Sequence, residues 1–512
     1  NLAPGGGLTL TGALAVDGGT VKLDGNYPTG DNNVALGDSA LDSGSLSGAN
    51  NVAIGFSALT SNTSGASNTV VGRSAMSTNT TGACNVAIGQ NALLQNTEGS
   101  KNTAIGRFAL DNNTTANENT AVGYESLGAN TTGGGLTALG EGSLACNTTG
   151  SSNTAVGRSA LCANTTGAQS VAVGQNSLLA NTEGHSTVAL GYEALAANTT
   201  AAYNVAIGHR SLKTNTTGSF NVAVGRQALC KNTTATQNTA VGTSVLFSNT
   251  TGANNTGLGV SALYNNTTAA NNTAVGTNAL GANTTGGNNA AVGRSALCSN
   301  TTAASNTAVG VCALLTTTTC GNNAAFGFCA LKTTSTDSNA AFGANALRDQ
   351  TTGIYNTAVG SAAGLRTTTG TRNVAIGTSA LLCNTTGSCN TAVGGMDNGT
   401  LSTMMCNTTG NKNTALGNST LVKNTTASDN TAVGALALYA NTTGAENVAV
   451  GIGALDTNTV GTGNISIGCG SMSANVDGNY NVAIGRCALD TSVSGSANVA
   501  IGDRALYTNT AS

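Results

Sequence analysis

Residues 153–169 of the chain read Asn-Thr-Ala-Val-Gly-Arg-Ser-Ala-Leu-Cys-Ala-Asn-Thr-Thr-Gly-Ala-Gln, and the same pattern begins again at Ser170. The general unit is NTAVG, two variable residues, AL, two variable residues, NTTG and two variable residues. If each copy is marked by the glycine that ends its NTAVG-type segment, 28 copies lie between Gly37 and Gly502, and 24 of the 27 intervals are seventeen residues long. A fixed short period over nearly the whole chain indicates a repeat architecture rather than several globular domains.

Each repeat contains the signals of a short strand and of two tight bends. Side chains alternate between two faces along NTAVG, and Val and Ile favour strands. The glycine ends the strand, NTTG has the composition of a turn, and a Leu four residues after the glycine is predicted to face the core. We therefore predict an all-β fold, a parallel β-solenoid of about 28 coils in an elongated rod. Identical Asn side chains would then stack along the axis, joined amide to amide.

Two segments depart from the period. Residues 1–31 contain two alternating stretches around Asp17-Gly18-Gly19, which predict a β-hairpin that caps the stack or ends an upstream segment. Residues 32–512 are assigned to the solenoid. The interval from Gly394 to Gly417 is twenty-three residues instead of seventeen, which predicts a loop insertion near 396–405.

Composition argues against several classes of function. Charged residues are 8% of the chain and the net charge is −3, which excludes strong electrostatic attraction to nucleic acid or an anionic membrane. No apolar run is long enough to insert into a bilayer. The only histidines, His185 and His209, occupy different positions of the repeat, and the chain has no CxxC pair. We therefore predict no metal site, no cofactor and no enzymatic activity.

Asn-Thr-Thr occurs sixteen times at one position of the repeat, and we call its first residue the turn asparagine. N-x-[ST] is the acceptor pattern for N-linked glycans on surface loops, so the sequence predicts glycosylation. The alternative is that Asn and Thr are simply good turn formers that stack well. A sugar on every coil at ~4.8 Å would be crowded, so we expect a subset to be occupied. The predicted sites are Asn79, Asn113, Asn130, Asn147, Asn164, Asn198, Asn215, Asn232, Asn249, Asn266, Asn283, Asn300, Asn384, Asn407, Asn424 and Asn441.

The chain has thirteen cysteines, and eight of them form pairs on adjacent repeats, at the same position or one position apart. Stacked strands at ~4.8 Å would bring such pairs within the roughly 4.4–6.8 Å that Cα atoms span in a disulfide. Disulfides would imply an oxidising, extracellular setting; the alternative is that small thiols fill turn or core positions. The candidate pairs are Cys312 with Cys329, Cys383 with Cys406, Cys146 with Cys162, and Cys469 with Cys487.

The NTAVG and NVAIG segments, each followed by a small residue and Leu, resemble the head repeats of trimeric autotransporter adhesins. Those heads carry an NSVAIG-type motif in a parallel β-roll built from three chains, and similar arrays occur in fibre proteins of phages and giant viruses. The resemblance extends from Asn32 to the end of the chain. The head repeat is shorter than seventeen residues, lacks the NTTG extension and is generally poor in cysteine. The resemblance implies a surface fibre or an adhesin, with trimerisation as one form of assembly.

These observations predict a mechanical function. We expect an extracellular, cell-surface or virion-surface fibre that acts as a filament, coat or spacer and self-associates as a trimer or end to end, with glycans if the acceptor sites are used. The alternative is an adhesin that binds a host or matrix ligand through many weak side sites. Ice binding is a third reading. It calls for a flat array two threonines wide, whereas the two Thr of each NTT are adjacent and point to opposite sides.

Overall fold

The computed structural model describes residues 31–395 and 401–508. These residues belong to two compact units that are divided between Glu193 and Ala194. The hairpin predicted within residues 1–31 lies outside the described residues, apart from Asp31, and so do residues 396–400 of the predicted insertion.

The first unit contains ten strands of three residues each, and every strand pairs in parallel with the next along the chain. Each strand is the centre of one NTAVG-type segment. The strands are β1 Val34–Leu36, β2 Val52–Ile54, β3 Thr69–Val71, β4 Val86–Ile88, β5 Thr103–Ile105, β6 Thr120–Val122, β7 Thr137–Leu139, β8 Thr154–Val156, β9 Val171–Val173 and β10 Val188–Leu190.

The second unit contains eighteen such strands, stacked in the same way. They are β11 Val205–Ile207, β12 Val222–Val224, β13 Thr239–Val241, β14 Thr256–Leu258, β15 Thr273–Val275, β16 Ala290–Val292, β17 Thr307–Val309, β18 Ala324–Phe326, β19 Ala340–Phe342, β20 Thr357–Val359, β21 Val374–Ile376, β22 Thr391–Val393, β23 Thr414–Leu416, β24 Thr431–Val433, β25 Val448–Val450, β26 Ile465–Ile467, β27 Val482–Ile484 and β28 Val499–Ile501.

The predicted parallel β-solenoid is confirmed in both units. Each strand residue pairs with its equivalent in the next repeat, as Val222, Ala223 and Val224 pair with Thr239, Ala240 and Val241. The described residues contain no helix. Across the longest interval the register is also kept, because Thr391 pairs with Thr414. The coil that contains the predicted insertion therefore does not displace the strands on either side of it.

The core of each coil is narrow and is built from small side chains around one large one. In the coil that begins at Asn221, the fully buried residues include Ala223 at the centre of the strand, Ala228 and Leu229 after the bend, and Asn232 in the turn. The predicted core position of the Leu is confirmed. The Val or Ile on either side of the central Ala points outward, because neighbouring side chains of a strand alternate between its faces.

The glycine that follows each strand, which we call the strand glycine, is required for two reasons. One is its backbone conformation, and the other is the lack of space for a side chain. Gly225 has a φ of +134°, a value that side chains strongly disfavour. A Cβ atom there would lie 2.4 Å from the carbonyl oxygen of Gly242 in the next coil. The same close contact recurs along the stack, which explains why glycine ends every strand.

The bends use left-handed backbone at residues other than glycine. In one coil Gln227, Leu229 and Gln237 have φ values of 58°, 50° and 59°. Such conformations cost roughly 1–2 kcal/mol for a residue with a side chain. Hydrogen bonds between coils offset this cost: Leu229 N donates to Val245 O in the following coil at 3.0 Å, and Gln237 N donates to Ser219 O in the preceding one at 3.2 Å.

One coil shows how closely the small core is filled. Val245 replaces the alanine that usually precedes the core Leu, and it is fully buried. The next strand has Gly257 where most strands have alanine, and a Cβ atom on Gly257 would lie 2.4 Å from Val245 Cγ1. The two departures from the repeat therefore compensate each other.

We expect Gly257→Ala to destabilise β13 and β14 by roughly 1–3 kcal/mol, because it overpacks the core. Val245→Ala alone should cost roughly 1–2 kcal/mol through the cavity it leaves. The double variant restores the usual Ala–Ala contact and should be close to the wild type. Amide hydrogen exchange of the two strands measures these local stabilities. Additive effects of the two substitutions would contradict the proposed compensation.

Candidate interaction surfaces

The turn asparagines form a buried column inside each unit. All sixteen predicted acceptor residues are fully buried. Asn249 Nδ2 donates to Asn232 Oδ1 of the preceding coil at 2.9 Å and to Gly252 O of its own turn at 2.9 Å. The predicted amide-to-amide stacking is therefore present, and each side chain both closes its own turn and joins it to a neighbouring coil.

A second column of asparagines precedes the strands. Asn238 N donates to Asn221 Oδ1 at 3.0 Å, and Asn238 Nδ2 donates to Gly252 O at 3.0 Å. The carbonyl oxygen of Gly252 also accepts from Asn249 Nδ2. It therefore links the column of turn asparagines to this second column. Buried amides of this type are costly unless they are hydrogen-bonded, and here each one is held from two sides.

The column of turn asparagines is interrupted in the second unit. Thr317, Thr334, Gln350 and Thr367 occupy the position in four consecutive coils, and all are buried. Gln350 Nε2 still bonds its turn carbonyl, Gly353 O, at 2.7 Å. At the two ends of the interruption, Asn300 Oδ1 and Thr367 Oγ1 form no hydrogen bond with any described residue. Each unsatisfied buried group typically costs about 1–3 kcal/mol, so this is a weak section of the column.

Burial of the turn asparagines bears on the predicted glycans. An N-linked sugar is attached to Nδ2, and in the folded coil this atom is enclosed and donates two hydrogen bonds. An occupied site and an intact column therefore exclude each other at the same coil. N-glycosylation stays a prediction, and the structure supports the alternative that the motif is kept for turn formation and stacking.

No disulfide is formed among the residues that the structure describes, so the predicted pairs are not bonded there. In each of two candidate pairs, the two thiols are close enough for one to affect the pKa of the other. These are Cys312 with Cys329 and Cys146 with Cys162, and burial raises the pKa of Cys329 and of Cys162. A raised pKa leaves less thiolate at neutral pH, which slows oxidation of these thiols.

The other two candidate pairs also lie on adjacent coils. Cys406 has Cys383 close enough to affect its thiol electrostatically, and burial is the main cause of its raised pKa. Cys487 N donates to Cys469 O at 3.0 Å, so the backbones of the last pair are in direct contact.

The structure does not bring together a set of metal ligands within the described residues. His185 and His209 are both exposed. No group of three or more His, Cys, Asp or Glu side chains in residues 31–395 and 401–508 is placed to hold a metal ion. In the same part of the chain, no helix has the length and apolarity needed to cross a membrane.

The outer face of the strands is an apolar surface, and we call it the strand face. It is formed by the first and third residues of each strand. Many third residues are large and exposed, such as Leu258 at 46% and Ile376 at 38%. Thr is the first residue in 13 of the 28 strands, but the third residue is Val, Ile, Leu or Phe in every one. Because Thr and Val have the same shape and both suit strands, strand propensity alone does not explain this difference.

The NTT turns present only one exposed column of threonines. The first Thr is half-buried, and its hydroxyl is used, as when Thr250 Oγ1 donates to Thr267 O at 3.1 Å. The second, such as Thr251, is exposed. The turns therefore present no array two threonines wide, which is the arrangement that ice binding calls for.

A ridge of side chains is formed by the residues five positions after the strand glycines. Among the ridge residues that the structure describes, only Gly128 and Gly281 are glycines. Each glycine leaves a notch in the ridge, with volumes of about 370 and 340 Å³ respectively. Neither notch was predicted from the sequence, although a glycine in a column of larger residues is a visible signal.

The notch at Gly128 is acidic. Asp111 and Glu125 line it together with Phe108, and Arg107 stacks on the Phe108 ring at 4.6 Å. Burial is the main reason that the pKa of Asp111 is raised from 3.8 to about 6, with a smaller contribution from the charge of Glu125. The notch at Gly281 has an uncharged lining that includes Tyr264, Asn265 and Asn278.

Comparison with models of known protein families and with curated proteins gives no match for this chain. The fold implied by the resemblance to adhesin heads and viral fibres, a regular parallel β-solenoid, is present. Membership of either family is not supported by these comparisons.

We expect Asp111→Asn to stabilise the first unit above about pH 6 and to have little effect below pH 4. Folding raises the pKa of Asp111, so the stability contributed by its protonated form is present below 3.8 and is lost as pH rises through 6. For this half-buried group the gain should be roughly 1 kcal/mol after allowance for solvent screening. Hydrogen exchange of β5 and β6 at both pH values checks this. Glu98→Gln, which removes an exposed carboxylate, is the control. An equal effect of both variants would contradict the prediction.

We expect this chain to show the mass of its bare polypeptide, 49.6 kDa over the 512 residues, by intact mass spectrometry. The reason is that a sugar on Nδ2 of a turn asparagine displaces two hydrogen bonds in a space that is already filled. A higher mass that falls after treatment with an N-glycosidase would restore the glycan prediction. It would also show that the column opens at the occupied coils.

Proposed function

We propose that this protein is a structural fibre subunit of an extracellular, cell or virion surface, and that its copies associate laterally through the strand face. Its role is mechanical, as a filament, coat or spacer, and no catalysis is proposed. The observation that carries the proposal is the invariance of the third strand residue. It is apolar in all 28 strands although it is partly exposed to solvent.

Three features support burial of the strand face against another chain. First, no strand residue in either unit carries a charge, whereas the residue after the strand glycine is often charged, as in Arg73, Glu141 and Arg158. Second, contiguous apolar surface of this kind marks interaction sites in soluble proteins. Third, the core behind it is narrow and rich in alanine, so each coil buries little large apolar surface of its own.

A second copy of the chain suits this surface better than an unrelated ligand. The strand face repeats with the period of the fold, and a surface with the same period matches it at every coil. A second copy of the chain has such a surface by construction, so no different protein is needed. Homomeric, symmetric assembly is also the commonest arrangement among soluble oligomers. Three chains, as implied by the resemblance, and a laterally joined filament both satisfy this requirement.

Adhesion is the second candidate function, and exposed aromatic side chains favour it. Phe56, Phe220, Tyr355 and Tyr480 are each more than half exposed and lie at variable positions beside the strands. Unlike the strand face, these residues differ from coil to coil. They therefore suit local contacts with a ligand rather than a repeated contact between copies.

Lateral association is tested with Val→Thr substitutions, which keep shape and strand propensity but add a hydroxyl. The triple variant Val224→Thr, Val241→Thr and Val275→Thr changes third strand residues of β12, β13 and β15. We expect the wild-type protein to sediment as an oligomer in analytical ultracentrifugation and the variant to dissociate at protein concentrations at least about tenfold higher, since burying three unpaired hydroxyls costs several kcal/mol.

The matched control is Val205→Thr, Val222→Thr and Val374→Thr, which makes the same change at first strand residues, where Thr is common. This control should associate like the wild type. A monomeric wild-type protein would refute lateral assembly and leave adhesion as the better explanation. Equal weakening by both triple variants would show that the third position has no special role.

A further inference from the structure

The notch at Gly281 interrupts a stack of rings that runs along the ridge of the second unit. The Phe247 and Tyr264 rings are nearly parallel, with an angle of 6° between planes and 5.2 Å between centroids. Lys231 Nζ lies 5.0 Å from the centroid of Phe247 and covers its other side. The next ridge residue is Gly281, which has no side chain, so the ridge leaves the second face of Tyr264 uncovered.

The space beside Tyr264 has the dimensions of one flat ring. Tyr264 and Cys298 are ridge residues two coils apart, about 10 Å at the usual strand spacing. The level between them, where Gly281 lies, is therefore about 5 Å from each, which is a normal distance for stacked rings. The volume of about 340 Å³ falls at the lower end of small-molecule sites, roughly 300–1,000 Å³.

The lining of the notch selects a neutral ligand with a polar edge. It consists of Ser261, Tyr264, Asn265, Asn278, Gly281, Ala282 and Cys298, with no charged residue. Asn265 and Asn278 are both exposed, and a side-chain amide can both donate hydrogen bonds to a ligand and accept them from it. One side of the notch is thus an aromatic face, and its borders carry amide groups.

We infer that the Gly281 notch binds a neutral pyranose ring of a carbohydrate. The apolar C–H face of the sugar stacks on Tyr264, whose π face carries partial negative charge. Its hydroxyl groups exchange hydrogen bonds with Asn265 and Asn278. The acidic notch at Gly128 has Asp111 in the place of Tyr264, and so it lacks the stacking face on the ridge. This inference is independent of lateral association, which uses the strand face and not the ridge.

Saturation-transfer difference NMR on the full chain tests the inference. The probes are methyl β-D-glucopyranoside, methyl β-D-galactopyranoside and methyl α-D-mannopyranoside, each measured alone, with p-cresol as an aromatic ring of similar size. We expect at least one glycoside to bind with a dissociation constant on the order of 1 mM, as befits so small a ligand. The strongest saturation should fall on the ring C–H protons.

Two variants remove the site by different means. Tyr264→Leu keeps a side chain that other ridge positions already hold, such as Leu315, but removes the aromatic face, and it should weaken binding about tenfold. Gly281→Tyr fills the notch with the ring that would continue the stack, and it should abolish binding. A Cβ atom at Gly281 meets nothing closer than 3.3 Å, so this variant is expected to fold.

The matched controls are Tyr439→Leu, which removes another ridge tyrosine, and Gly128→Tyr, which fills the other notch. Both should bind the glycoside like the wild type. The inference is overturned if no glycoside binds, or if Tyr264→Leu and Gly281→Tyr leave binding unchanged. Binding of p-cresol alone, with the same dependence on Tyr264, would also overturn it, because the notch would then recognise an aromatic ring rather than a sugar.

Discussion

Every part of this structure depends on hydrogen bonds between successive coils. Strands of only three residues offer few backbone contacts each, and a single coil is too small to bury a core that stabilises it. Stacking solves both problems, because each coil is completed by its neighbours. The buried asparagines extend this principle from the backbone to side chains. Each amide closes a turn and bonds the next coil, so the turns stay aligned along with the strands.

Close stacking explains why the core is small. Backbone atoms of adjacent coils approach so closely at the strand glycine that no Cβ atom fits. The interior of each coil then has room for alanine side chains, one leucine and two asparagine amides. Larger departures are tolerated only where a neighbour gives way, as Gly257 does for Val245. The large β-branched residues of the strands are consequently placed outside, where they form the strand face.

Regularity makes the exceptions informative. The chain contains 28 copies of one repeat. A repeat position that keeps the same type of residue in every copy meets a physical requirement common to all coils. A repeat position that varies can take on a role in one coil alone. The third strand residue belongs to the first kind. The ridge belongs to the second kind, and Gly128 and Gly281 create its two notches. Regular assembly and local binding are thus assigned to different surfaces of the same coil.

The sequence by itself determined the period, the strand and turn positions, the core Leu and the stacking of asparagines. These follow from spacing, because a residue that recurs every seventeen positions must meet its copies if the coils stack in register. The sequence did not determine which way the strand residues face. Alternation places the side chains of Val222 and Val224 on the same side of the strand. Only the packed coil shows that this side faces the solvent and not the core.

The two sites that depend on burial were likewise decided by the tertiary structure. N-x-[ST] has the same letters in an exposed loop and in a buried turn, so only the fold shows that Asn249 Nδ2 is enclosed and hydrogen-bonded. The Gly281 notch exists because the Phe247 and Tyr264 rings of adjacent coils stack and the ridge residue of the following coil, Gly281, has no side chain. Local sequence sets the conformation of each repeat, whereas exposure and cavities arise from what adjacent coils place around it.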